Sequence, residues 1–354
     1  MIKVLIVDDS ALMRRVLGEI LAEAEGFELA FARDGVEALE MARTFAPDVI
    51  TLDVQMPRLN GLQVLDRLMV EQPRPVIMVS SLTSQGAETT VQALELGAVD
   101  FMPKPSGPAS LHVDELAPIL IDKVRAAAKT RPAKSRRLRE RLRMRARPPA
   151  PLNASARRLE PSSSGLIIVG ASTGGPPALE AVLAGLPADL PWPVVIAQHM
   201  PASFTASLAR RLDGLCALSV REVDVLMPLE AGCAYVARGD ADMIVSRRGE
   251  TLVAMPAPAD PTHRWHPSVD RLAASALACL PSSGVIGVLL TGMGDDGAAQ
   301  LAALHAAGGR TIAQSEDSAV VWGMPGVLVR KGGAGAVLDP EAMAEQIIDW
   351  VAAA

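Results

Sequence analysis

The sequence predicts an α/β protein of two units, each built around a mainly parallel sheet, and three observations lead there. Five short apolar runs, at residues 3–7, 27–31, 48–52, 75–79 and 99–102, alternate with helical patterns, as a doubly wound sheet requires. Three more apolar runs, starting at Leu166, Val194 and Val285, each deliver polar residues into the turn that follows. A strongly basic stretch parts the two sets. A length of 354 residues exceeds that of an ordinary single domain, and 49% apolar residues suffice for two cores.

In the first unit the run at residues 3–7 ends in Asp8-Asp9, and the run at 48–52 ends in Asp53. Lys104 follows Asp100-Phe101-Met102-Pro103. Carboxylates that converge at strand ends repel one another unless a hard divalent cation lies among them, and the oxygen preference of Mg²⁺ suits Asp8, Asp9 and Asp53. Such a metal would also neutralise a phosphoryl group. Taken singly, an acidic pair after a strand is a solvated turn or a helix cap, and a lysine before proline is loop polarity. The joint pattern carries the reading.

Between the units, residues 129–160 hold 12 basic and 2 acidic residues, net +10, whereas each flank carries net −8. Pro148-Pro149, Pro151 and Ser162-Ser163-Ser164 near its end mark a linker, with helix-forming residues over 136–147. The expected division is therefore 1–125, a linker at 126–160, and 161–354. A basic stretch also suits phosphate contacts, but this one lacks a helix-turn-helix pattern and aromatic stacking residues, so no nucleic-acid partner is expected.

In the second unit Leu166-Ile167-Ile168-Val169 runs into Gly170-Ala171-Ser172-Thr173-Gly174-Gly175, a strand that ends in a glycine-flanked turn with a serine at its apex. Pro176-Pro177 can open the helix that follows. Alone, this turn equally fits a phosphate cradle. Its spacing is not G-x-G-x-x-G, and the next strand ends in Gln198-His199 without an acid, which argues against a dinucleotide site. That same strand places His199 just past its end, and the run from Val285 leads into Thr291-Gly292-Met293-Gly294-Asp295-Asp296-Gly297. A serine at its free pKa needs a base in reach, and the base needs a carboxylate to fix its tautomer. Ser, His and Asp each sit at a strand end. Their order, Ser then His then Asp, differs from the acid-then-histidine order of the α/β-hydrolase elbow. His263 and His266 are competing candidates for the base.

Two resemblances follow from these residues. The first unit resembles the flavodoxin-like receiver domain of two-component response regulators. That likeness implies Asp53 as phospho-acceptor, Asp8 and Asp9 as the acid pair that binds Mg²⁺ with it, Ser80 as hydroxyl switch and Lys104 as phosphate partner. Phe101 stands where an aromatic rotamer switch is often found. In the second unit, residues 170–175, Gln198-His199-Met200 and residues 291–297 resemble the three signature segments of the chemotaxis protein-glutamate methylesterases, the CheB family. The resemblance implies a triad of Ser172, His199 and Asp296, with the Met293 backbone N–H as oxyanion donor. It also implies that His266-Pro267-Ser268-Val269-Asp270 lies near the cleft without supplying the base.

The expectation is thus a phosphorylation-regulated esterase that hydrolyses glutamate γ-methyl esters on methyl-accepting chemoreceptors and deamidates receptor glutamines. A chemotaxis histidine kinase would be its phosphodonor, with Mg²⁺ needed for phosphorylation and no cofactor for ester hydrolysis. The alternative is a non-catalytic response regulator with a binding output. One loop departs from the family: Ala237-Arg238-Gly239-Asp240-Ala241-Asp242 stands where Ala-Pro-Gly and a nearby histidine are common, which bears on substrate recognition. No apolar run approaches the roughly 18–20 residues that span a bilayer. Met1-Ile2-Lys3 leads straight into a strand, unlike a signal peptide. Cys216, Cys233 and Cys279 suggest neither disulfides nor zinc. A cytoplasmic protein without membrane insertion is expected.

Overall fold

The computed structural model describes residues 1–81, 83–104, 113–130 and 165–354. Its contacts divide the chain into two units, Met1–Ala156 and Arg157–Ala354. Most of the expected linker, with the helix expected over 136–147, lies outside the described residues.

In the first unit β1 (Ile2–Val7), β2 (Phe27–Ala32), β3 (Val49–Asp53), β4 (Val76–Ser80) and β5 (Asp100–Pro103) form one parallel sheet in the order β2-β1-β3-β4-β5. The connecting helices are α1 (Ala11–Glu23), α2 (Gly35–Thr44), α3 (Gly61–Glu71), α4 (Ser84–Leu96) and α5 (Val113–Ala127), the last ending two residues beyond the expected boundary at 125. Each apolar run forms a strand, and β3, β4 and β5 extend one residue further than the runs do, because their last residues are Asp53, Ser80 and Pro103. Strands β3 and β4 are buried throughout, as sheets covered on both faces are. Helix starts are set locally. Ser10 Oγ accepts from Met13 N, Asp34 caps α2, and Asn60 with Gln63 forms a capping box.

The second unit has a seven-stranded parallel sheet in the order β15-β14-β13-β6-β7-β10-β8. Its strands are β6 (Leu166–Ala171), β7 (Val194–Gln198), β8 (Ser219–Val223), β10 (Cys233–Ala237), β13 (Val285–Leu289), β14 (Arg310–Gln314) and β15 (Ala336–Leu338). A small antiparallel sheet of β9 (Met227–Pro228), β11 (Asp242–Arg248) and β12 (Thr251–Ala257) interrupts the alternation. The helices are α6 (Gly175–Leu183), α7 (Ala202–Asp213), α8 (Val269–Leu277), α9 (Ala298–Ala306), α10 (Met324–Arg330) and α11 (Pro340–Ala352). Trp192, Tyr235 and Phe204 are its largest fully buried side chains. Both sheets contain a point where the chain reverses its direction of travel across the strands, at β1/β3 and at β6/β13, and crevices form there beyond the strand ends.

Candidate active site and phosphoryl-acceptor site

At the β1/β3 crevice Asp8 and Asp53 are buried and Asp9 is exposed, and ligand oxygens of the three lie within 4.8 Å of one another. Lys104, placed by the end of β5, sets Nζ 2.8 Å from Asp8 Oδ2 and 2.9 Å from Asp53 Oδ2. Neither of those oxygens receives a well-angled hydrogen bond, although both are buried. Burial pushes the Asp53 carboxyl up to about 6; Lys104 opposes that shift and the charge of Asp8 adds to it. Three carboxylates that share the single Lys104 ammonium carry excess negative charge and fit a hard oxygen-seeking cation such as Mg²⁺.

Ser80, buried at the end of β4, directs Oγ to Gly86 O at 3.2 Å, in the first turn of α4, and Phe101 is buried in β5 with Lys123 Nζ 5.8 Å from its ring centroid.

At the β6/β13 crevice, pairing Ala171 with Gln198 and Gly170 with Leu289 brings the residues after β6, β7 and β13 side by side. Ser172 N donates to Thr291 O, and His199 N donates to Ala171 O. Two glycines make room. A Cβ on Gly292 would lie 2.7 Å from Ser172 Cβ, and one on Gly175 would lie 2.0 Å from Gln198 Oε1. Gln198 Nε2 in turn donates to Ser172 O at 3.0 Å, which fixes the serine backbone.

His199 Nε2 lies 2.8 Å from Asp296 Oδ2, with both side chains more than nine-tenths buried. Its Nδ1 is buried and has no hydrogen-bond partner. The structure therefore joins His199 to Asp296 directly and sets Ser172 in the adjacent register, while the Ser172 hydroxyl makes no hydrogen bond to the ring. The Met293 N–H, in the turn after β13, meets no protein acceptor among the described residues.

Asp296 is held by more than the histidine. Its Oδ2 also accepts from Val269 N at 2.7 Å, and Oδ1 accepts from Ser268 Oγ and Asp270 N, both at 3.0 Å. These donors are the cap and first turn of α8, so the carboxylate occupies that helix's positive end. Burial would raise its pKa, but the His199 hydrogen bond and charge, with the Asp270 and Val269 amides, outweigh burial and hold it below the ordinary carboxylate value.

Sequence reasoning left out Trp265. Its ring stacks on His199 at 5.4 Å and 13°, and the Arg264 guanidinium lies 4.9 Å from the indole centroid on the surface side. The stack closes one face of the imidazole. His266 is engaged elsewhere, with Nδ1 3.0 Å from Asp242 Oδ1. Asp242 is fully buried and so offers a substrate no contact, whereas Arg238 is exposed. The Ser268 cap could have been read from sequence; its pairing with Asp296 across 28 residues had no local signal.

Comparison with known proteins matches each unit to a family. Residues 167–347 match the CheB methylesterase family, and residues 4–114 match the response regulator receiver domain. A protein-glutamate methylesterase/protein-glutamine glutaminase of Rhodospirillum rubrum is 52% identical, over 99% of this chain and 96% of its own length. One from Rhodopseudomonas palustris is 51% identical over 99% and 98%. The crystal structure of the Thermotoga maritima CheB methylesterase catalytic domain superposes with a TM-score of 0.51 at 34% identity, covering 53% of this chain and 99% of that one.

Proposed function

The chain belongs to the CheB methylesterase family, and from that premise we propose that Ser172, His199 and Asp296 hydrolyse glutamate γ-methyl esters on chemoreceptors under control of phosphorylation at Asp53. The observation that carries the reading is the His199–Asp296 pair at 2.8 Å, which leaves Nδ1 buried and unpartnered on a residue whose amide bonds Ala171, next in sequence to Ser172. Nε2 is committed to the carboxylate, so Nδ1 is the nitrogen left to accept the serine proton. Ser172 Oγ attacks the ester carbonyl as Nδ1 takes that proton, and Asp296 stabilises the imidazolium. The oxyanion forms against the Met293 N–H, a donor type worth about 3 kcal/mol of barrier when well placed. Nδ1–H then protonates the departing methoxide, and methanol leaves. Water, deprotonated at Nδ1, attacks the acyl-serine and releases the glutamate carboxylate and Ser172. A glutamine γ-amide differs only in releasing ammonia, so the same residues support deamidation. The triad supplies nucleophile, base and acid, and ester hydrolysis is proposed to need no cofactor.

In the receiver, Asp8, Asp9 and Asp53 would hold Mg²⁺, which when bound offsets the charge of the carboxylates and of a phosphoryl group. Lys104 is placed to pair with phosphoryl oxygens on Asp53, and Ser80 and Phe101 are the proposed reporters of that change. The phosphodonor is proposed to be a chemotaxis histidine kinase, and the site of action the cytoplasm. No helix among the described residues is long and apolar enough to cross a membrane.

Methanol release from methylated receptor tests the reading. Wild type releases methanol and Ser172→Ala does not, whereas a response regulator with a binding output would release none in either form.

A further inference from the structure

The side chain of Asp242 is fully buried at the start of β11, yet it gathers donors from one segment only. Its Oδ1 accepts from Ser268 N at 2.8 Å and faces His266 Nδ1 at 3.0 Å; its Oδ2 accepts from Arg271 Nη1 at 2.6 Å and Asp260 N at 3.1 Å. Arg271 Nη1 also donates to Pro258 O. A buried carboxylate is stable only when its lone pairs are satisfied, and here every partner belongs to residues 260–271. That segment carries Trp265, stacked on His199, and the Ser268, Val269 and Asp270 donors that hold Asp296. Ser268 links the two acids, with its amide on Asp242 and its hydroxyl on Asp296.

We propose that Asp242 is a positioning residue of the hydrolytic site: it anchors the segment so that Ser268 holds Asp296, and through Asp296 it orients His199. The inference rests on the esterase reading above.

The test is a double-mutant cycle on the full-length protein, using a short peptide that carries a glutamate γ-methyl ester. Asp242→Asn and Ser268→Ala should each lower kcat about tenfold with KM within about twofold, and the double variant should fall little further, because both break one path to Asp296. The imidazole N–H proton resonance of His199 should shift in both single variants. Unchanged kcat in Asp242→Asn, a change confined to KM, or multiplicative losses in the double variant would overturn the proposal. If Asp242→Asn does not fold, as tryptophan fluorescence would report, the decision passes to Ser268. Ser268→Ala must then lose kcat while Ser268→Thr, which keeps the hydroxyl, regains it; normal turnover in Ser268→Ala rejects the idea. Ser172→Ala serves as the separate control, since turnover surviving there would overturn the esterase reading itself.

Discussion

The crevice at β1/β3 and the crevice at β6/β13 are built alike but shift the pKa of their aspartates in opposite directions. Each lies where a parallel sheet reverses its winding, and each collects an aspartate, Asp53 at the end of β3 and Asp296 in the turn between β13 and α9. Asp53 is packed beside Asp8 with one lysine between them, and burial lifts its pKa to about 6. Asp296 is buried as well, but the imidazole and the Asp270 and Val269 amides at the start of α8 hold its pKa down. The first site holds three carboxylates against one lysine and suits an incoming cation and phosphoryl group. The second is already satisfied and suits holding a histidine through a catalytic cycle. Placement beside the reversal of the sheet selects where chemistry occurs, and the surrounding donors decide which chemistry.

If that contrast is right, the largest effect belongs to the satisfied site. Ser172→Ala, His199→Ala and Asp296→Ala should each lower esterase turnover by roughly three or more orders of magnitude with folded content retained, because such residues act as a unit. Near-normal methanol release by any of them would break the assignment. Chelation should separate the two crevices: it abolishes phosphorylation at Asp53 and leaves basal ester hydrolysis within about twofold. Loss of basal turnover on chelation would place a metal where the account has none. In the same full-length protein, Asp53→Asn should remove activation by a phosphodonor while basal turnover persists. Trp265→Ala should lower kcat about tenfold by freeing the imidazole face, with Trp265→Phe recovering most of it. Equal losses in both variants would mean that stacking is not what matters.

Much of this contrast was legible in the sequence. The apolar runs marked eight strands that carry or flank the two sites, and the polar residues at their ends marked both crevices. Boundaries slipped by a residue at Asp53 and Ser80 because a hydrophobic pattern stops where the functional polar residue begins, although the ladder continues through it. The antiparallel β9, β11 and β12 were not legible. They form an excursion whose purpose, holding residues 260–271 against Asp296, is carried by contacts between distant positions such as Asp242 with Ser268 and Ser268 with Asp296. Trp265 was hidden for the same reason: an aromatic residue between two histidines gives no sign that it will stack on a third.

The smallest expected effect is the most direct test of these opposite shifts. With the folded pKa of Asp53 raised, the unfolded chain ionises first as pH rises from the ordinary carboxylate range to about 6, so stability falls across that window and the penalty is complete above it. With the folded pKa of Asp296 depressed, its ionisation contributes stability above the ordinary carboxylate range, and that contribution is lost as pH falls below it. All four tryptophans, Trp192, Trp265, Trp322 and Trp350, lie in the second unit, so fluorescence follows that unit while the first is followed by backbone circular dichroism. The measurement is urea unfolding of Asp53→Asn and Asp296→Asn at pH 7.5 without Mg²⁺. Asp53→Asn should stabilise the first unit by about 1–2 kcal/mol, a gain that shrinks as pH drops through 6, and Asp296→Asn should destabilise the second by a similar amount. Shifts of the same sign in the two variants would contradict the account.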